Sequence, residues 1–457
     1  MLYHLPSPFV LTDQEENANA AFAFQQQGAS FYPADPMAAG YSGYITNYAA
    51  SPEVCNMFRA SLNAVREELN SLHSKGDVQR FIRTIGMILT QQLHLIVRHQ
   101  RWTFAYNGRI FLIYTGVQQL EMYLRELCET IPGFVKEFYC TPSFVKALLA
   151  EINQTCQNIP VLPDLRNLIA FRNGILNLQS MMLLPFTSDL FITSMVDADW
   201  NWYAMDCPNF WHLIMSYACG EQTLAYRILE ALGTCLTNDY IKTIFCLTGV
   251  TNSGKSFIAD YIRSLLNPES VVVMMPDEFG KQFSNIKIFN KSLCMCMDMS
   301  SAPLNPVATS AIKQISGGDM IASEVKYQNG NVNFESRTHL MLGSNFDIRP
   351  YEEDIAFTAR KIVLPFCHRI TDEQVNKEVL KATLEPERSA IVNLLINAYL
   401  NLRGKNYVFS GTSSWYDTYV PTNDLRSDCR GSIQYFVMNC CNITNHPQNY
   451  VFTEDLF

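Results

Sequence analysis

The chain has 457 residues, enough for two or three domains with proper cores, and its 48% hydrophobic and 17% charged content is that of an ordinary soluble protein. No apolar run approaches the roughly 18 residues that span a bilayer, the N-terminus lacks the regions of a signal peptide, and a net charge of −9 argues against a broad basic face coating duplex DNA. The 14 cysteines are scattered without a C-x-x-C pair, which argues against a disulfide framework or zinc ribbon and for a reducing cytoplasm.

Residues 1–55 are rich in Ala, Gln, Gly and Tyr with little periodicity, the expectation for a loosely ordered lead-in. From about 56 to 100 helical spacing dominates, as in Phe81, Ile82, Ile85, Ile88 and Leu89. WTFAYNGRIFLIY then alternates around Asn107-Gly108 and predicts a hairpin. Arg101, Trp102, Tyr106 and Arg109 have the chemistry to stack on single-stranded bases; an amphipathic hairpin packed on helices is the plainer alternative. Residues 117–160 read as helical, 166–200 as mixed with strand and turn in RNLIAFRNGILNL, and 209–236 as helical again.

The most informative stretch is GVTNSGKS, between the apolar run IFCLT and the helical-looking FIADYIRSLL. Gly249, then Val250, Thr251, Asn252 and Ser253, then Gly254, Lys255 and Ser256 spell the P-loop pattern G-x-x-x-x-G-K-[ST]. Glycines let the backbone curl so that its N–H groups face phosphates at the positive end of the next helix. Lys255 would neutralise the phosphate charge of ATP, and Ser256 would ligate Mg²⁺. Such an enzyme also needs an acid on a neighbouring strand to hold Mg²⁺ and orient water, which SLCMCMDMSS supplies as Asp298, and a polar sensor on a further strand, which THLMLGSN supplies as Asn345. Cys294 and Cys296 alternate on the first of these strands as core residues. Between the two strands, IKQISGGDMIASEVKYQNGNVNF carries a second hairpin signal at Asn329-Gly330. After Phe366 helical patterns return in TDEQVNKEVLKATL and RSAIVNLLINAYLNLRG, a Ser/Thr/Tyr loop ends near 422, and a last segment opens like a small helical module.

G-x-x-N-x-G-K-S with Asn252, the strand ending at Asp298, I-K-x-I-S-G-G-D before a hairpin, and G-S-N together resemble superfamily 3 helicases, and most of all the D5-like, phage P4-type primase-helicases. FRNGILNL resembles the D5 N-terminal signature, YRILEALGTCLT the helix before the loop, RKIVLPF the block after the sensor, and RSAIVNLLINAYL the lid helix, so the likeness covers roughly residues 95–457. The resemblance implies an α/β, AAA+-like P-loop NTPase core at 237–370. A mostly helical D5-like module at 56–236 would precede it. Lid helices at 371–422 and the start of a winged-helix-like segment at 423–457 would follow.

It also implies a ring, usually a homo-hexamer, that hydrolyses ATP between subunits and moves along single-stranded DNA. Lys255, Asp298 and Asn345 would be catalytic, and Arg360 would be the arginine finger, with Arg349 in reserve. Lys326 and Tyr327 on the second hairpin would grip the strand. Three departures stand out: Met299 where many relatives have a second acid, Asn177 where the D5 signature has Asp, and a chain that stops as a winged-helix domain would begin. Two rival readings remain. Asp197 and Asp199 have the D-x-D spacing of a primase metal site, but no partner Asp or His motif accompanies them and they fall inside the D5-like block, which leaves priming by this chain the minor reading and a separate primase a possible partner. Alternatively, the ATPase could serve an initiator or loader that does not unwind.

Overall fold

The computed structural model describes residues 50–65, 77–114, 117–131, 141–156, 158–159, 162–281, 283–324, 331–366 and 377–411. They form two compact units. One runs up to Trp202 and takes in Leu236–Asp239 and Arg263–Val271; the other holds Tyr203–Cys235, Tyr240–Ile262 and the chain from Val272 on. Residues 203–235 fall in the unit that carries the glycine loop.

In the first unit, α1 (Pro52–Ala64) starts on Ser51, whose hydroxyl accepts from the amide of Val54 at 3.3 Å, and Pro52 supplies a helix-ready φ. Helix α2 (Asp77–Met87) runs into a π turn at Ile88–Gln92, and its buried stripe of Phe81, Ile82 and Ile85 is the one the helical spacing predicts. The helical reading to residue 100 is corrected at this point. His94 turns the chain at φ 49°, and the buried Ile96 and Val97 then pair as strand β1 (Ile96–His99) with Ala105 and Phe104 of β2 (Trp102–Tyr106). Strand β3 (Phe111–Tyr114) completes the predicted hairpin antiparallel to β2.

Tyr106 is 1% exposed and donates its hydroxyl to the carbonyl of Gly108 at 2.9 Å, so it is core and not a stacking platform. Arg109 lies 6.0 Å from the Phe186 ring, and Phe104 meets Phe191 edge-on at 5.0 Å. This is the packed amphipathic hairpin. Helices α3 (Val117–Glu129) and α4 (Pro142–Thr155) follow, then an antiparallel sheet of β4 (Leu168–Phe171), β5 (Gly174–Asn177) and β6 (Met182–Leu184). Asn177 accepts from the amides of Gln179 at 2.9 Å and Ser180 at 3.3 Å, a turn-closing task its amide oxygen performs as a carboxylate would. Asp197 is bound by Arg172 at 2.7 Å, which commits half of the D-x-D pair to an ion pair within the unit.

The second unit is built on a sheet of order β13-β7-β12-β9-β8. In chain order its elements begin with α5 (Pro208–Tyr217), α6 (Gln222–Thr234), β7 (Ile244–Gly249), α7 (Lys255–Ser264), β8 (Val271–Val273) and β9 (Leu293–Met299). Then come α8 (Pro306–Gly317), β10 (Met320–Glu324), β11 (Asn331–Glu335) and β12 (His339–Ser344). A short turn of helix α9 (Ile355–Thr358), β13 (Lys361–Phe366), α10 (Lys377–Leu384) and α11 (Arg388–Gly404) close the described chain.

β12 pairs in parallel with both β7 and β9, and β13 in parallel with β7. Every residue of β7, β12 and β13 is buried, as the continuous apolar runs of a parallel sheet covered on both faces require. Cys294 and Cys296 are buried in β9. Strands β10 and β11 pair antiparallel from Met320↔Glu335 to Glu324↔Asn331, so the second hairpin is present. Its Asn329-Gly330 turn, with Lys326 and Tyr327, lies outside the described residues. Among the described residues no helix is long and apolar enough to cross a membrane.

Candidate functional site

The parallel register brings the C-terminal ends of β7, β12 and β9 side by side: Ser344 stands beside Thr248 on one flank and Met299 on the other. The glycine loop leaves β7 at this edge. Gly249 has φ +156°, and a Cβ there would come within 2.1 Å of the Phe366 carbonyl in β13. Gly254 has φ +90°, and a Cβ there would sit 2.3 Å from Cε1 of Tyr217. Only glycine fits either position. Asn252 takes the left-handed conformation at φ 61°, which Asn tolerates better than most residues.

Lys255 opens α7 and turns back into the loop. Its ammonium donates to the carbonyls of Gly249 and Val250, both at 2.8 Å, to the Ser253 hydroxyl at 3.2 Å and to Oδ1 of Asn345 at 3.0 Å. With only 8% exposure, burial pushes its pKa down to about 8. Asn345 in turn donates from Nδ2 to the Thr251 hydroxyl at 3.2 Å, so one amide ties the end of β12 to both halves of the loop.

These groups line a cavity of about 460 Å³ together with Ser256 and Asp298, both exposed. The hydroxyl and carboxylate are hard oxygen donors, the kind Mg²⁺ takes one or two of while keeping waters and phosphate oxygens as its other ligands. The donor set therefore fits the metal. Met299 contributes no second acid: it is 7% exposed, and its sulfur lies 3.4 Å from that of Cys296.

Lys255, Ser256, Asp298 and Asn345 are thus brought together, as their order in the sequence predicts. Arg360 is not. β13 runs parallel to β7 with Lys361 beside Ile244 and Phe366 beside Gly249, so Arg360 sits a strand's length, about 20 Å, from the loop. Its Nη1 donates to the Ala356 carbonyl at 2.7 Å, and its buried Nε has no hydrogen-bond partner among the described residues. Arg349 also stays outside the cavity, and its carbonyl accepts from the Leu304 amide at 2.8 Å.

Three lining residues carried no signal in the sequence: Tyr217 from the end of α5, and Lys377 and Leu380 from the start of α10. Nothing local marks them, because their part in the site comes from packing across elements far apart in the chain. A buried ion pair was equally invisible. Lys361, with a 6% exposed side chain, reaches Asp347 at 2.8 Å and the Ile348 carbonyl at 3.3 Å. It anchors the segment just beyond Asn345.

Strand, glycine loop and lysine-led helix, with an acid and an amide at the ends of the adjoining strands, define a mixed α/β unit whose site is suited to gripping phosphate. Residues 88–216 match the family described as D5 N terminal like, an interval that contains FRNGILNL. Residues 247–360, from the loop to Arg360, match a family of unknown function, DUF5906. Solved structures of the NrS-1 C-terminal region are similar at 10% identity, with TM-scores of 0.43, 0.42 and 0.44. The first covers 66% of this chain, which spans 65% of that solved chain.

Proposed function

We propose that this chain is an ATP-driven DNA helicase of the superfamily 3, D5-like type, working in the replication of a phage, virus or integrated element. The observation that carries this reading is the 3.0 Å hydrogen bond from Lys255 to Asn345, in a cavity that Asp298 also lines. Phosphate lysine, acid and sensor are the three groups that γ-phosphate hydrolysis asks for, and a site that merely bound phosphate would not need the last two. The match to the D5 N terminal like family over residues 88–216 supports the replication context.

In this reading the loop amides and Lys255 hold the phosphates, Asn345 orients the attacking water, and Asp298 polarises it. Mg²⁺, when bound with ATP, would neutralise phosphate charge, with Ser256 and Asp298 as its protein oxygens. Lys255 would exchange the loop carbonyls for phosphate oxygens, which couples nucleotide arrival to release of Asn345. Arg360, a strand's length from its own loop, would serve the site of a neighbouring copy, and the ring of copies would be a hexamer. Lys326 and Tyr327, on the hairpin that β10 and β11 support, would follow a single strand of DNA.

A loader that hydrolyses ATP on DNA without unwinding it is the second reading. It is favoured by Met299, a buried thioether where a second acid could stand, so that Asp298 is the one carboxylate among the described residues lining the cavity. The test of the ATPase itself is steady-state hydrolysis with and without single-stranded DNA, using Lys255→Ala as the blank. Strong stimulation by DNA in the parent, absent in the blank, is expected. Hydrolysis at the blank's level under both conditions would overturn the motor reading.

A further inference from the structure

Tyr217 is the last residue of α5 and the most deeply buried aromatic ring on the cavity wall, at 1% exposure. Its ring stacks at a tilt on Phe366, centroids 4.8 Å apart, and covers the face of Gly254 so closely that a Cβ there would lie 2.7 Å from the phenol oxygen. The hydroxyl has no hydrogen-bond partner among the described residues. Native proteins rarely leave a buried phenol unpaired, because its desolvation is then uncompensated.

The placement of this ring is not loose. Glu387 accepts the Asn209 and Phe210 amides, each at 3.0 Å, and so pins the start of α5. At the other end Cys219 and Gly220 turn the chain at φ 54° and 81°, and the Gly220 amide returns to the Met215 carbonyl at 2.9 Å. Helix α5 is therefore held at both ends, with its unsatisfied hydroxyl set against the residue that precedes Lys255. Burial raises the phenol's pKa, so the group stays a proton donor at any working pH.

We infer that Tyr217 is a nucleotide-contacting residue, whose hydroxyl donates a hydrogen bond to a phosphate oxygen of the nucleotide held by the Gly249–Ser256 loop. The inference rests on the phosphate-binding reading of that loop and extends it to a wall the loop pattern does not include. It also gives the unpartnered hydroxyl a reason to persist where phenylalanine would pack equally well: Tyr217 would be satisfied only in the complex, and would add affinity that its ring alone cannot.

The experiment is equilibrium binding of ATP and of ADP to the parent, Tyr217→Phe and Lys255→Ala, with thermal unfolding of each protein without nucleotide. Removing one hydrogen bond to a charged acceptor predicts about tenfold weaker binding of both nucleotides by Tyr217→Phe. Because the variant loses an unsatisfied group and keeps the ring, its unfolding midpoint without nucleotide should equal or exceed the parent's. Unchanged affinity would overturn the contact. A midpoint several degrees below the parent's would overturn it too, since the hydroxyl would then be satisfied within the fold. A parent that binds neither nucleotide would instead overturn the phosphate reading of the loop, and the parent's own binding curve tells these failures apart.

Discussion

Lys255 and Asn345, 90 positions apart in the chain, are joined by a 3.0 Å hydrogen bond from ammonium to amide oxygen. The bond crosses from the helix after β7 to the end of β12, its parallel neighbour, so the sheet register is what makes it possible. On the proposed ATPase reading, it gives the lysine a partner that nucleotide phosphate would replace.

Lys255→Ala removes the positive charge at the centre of the loop. Loss of a preorganised cation from a phosphoryl-transfer site costs about 3–4 kcal/mol of transition-state stabilisation, so hydrolysis should fall at least about 100-fold. A kcat/KM within a few-fold of the parent's would remove Lys255 from the mechanism.

The pH dependence of binding has a definite sign. Burial holds the Lys255 pKa down to about 8, and contact with phosphate would raise it, so nucleotide binding above pH 8 should take up a proton. ATP affinity should be flat below about pH 7 and weaken toward tenfold per unit above about pH 8. Calorimetry in buffers of different ionisation enthalpy at high pH would register the proton, and Lys255→Ala should show no such uptake.

Gly249→Ala tests the backbone cradle through stability. The new methyl would meet the Phe366 carbonyl at 2.1 Å, so β7 and β13 must part or the loop must move. The expected loss is about 3 kcal/mol in denaturant unfolding. A variant as stable as the parent would mean that the loop leaves β7 along another path.

Asp347→Ala leaves the ammonium of Lys361 buried beside the Ile348 carbonyl without its carboxylate. Breaking one side of such a pair costs about 3 kcal/mol, and here it also frees the segment after Asn345. Stability and hydrolysis should fall together. Replacing both residues by apolar ones should recover most of the stability.

Arg360→Ala should leave ATP binding intact, because the residue lies a strand's length from its own loop, and on the arginine-finger reading it should abolish hydrolysis. If Arg360 serves a neighbour, mixing Arg360→Ala with Lys255→Ala in equal amounts should regenerate about a quarter of the parent's activity at mixed interfaces. No recovery in the mixture would assign Arg360 a purely structural part.

What could be read from the sequence was what local pattern encodes. The loop, Asp298 and Asn345 each end an apolar strand, and strands of one parallel sheet end on one edge, so their order along the chain sufficed to bring them together. Strand β1 was missed because Ile96 and Val97 follow a helical stripe without a break that composition alone would mark; the turn at His94 is a conformational event. Tyr217 and the Lys361–Asp347 pair were illegible for a different reason. Each is defined by a partner from another element, and neither belongs to a spacing pattern. The base-stacking reading of Tyr106 failed on burial, which alternation around a hairpin turn leaves undetermined.

The most direct test of the helicase account is displacement of a labelled strand from a tailed duplex, with ATP, by the parent and by Lys255→Ala. The account predicts displacement that requires ATP hydrolysis and is lost in the variant. DNA-stimulated hydrolysis with no displaced strand, on either tail polarity, would contradict it and leave the loader in its place.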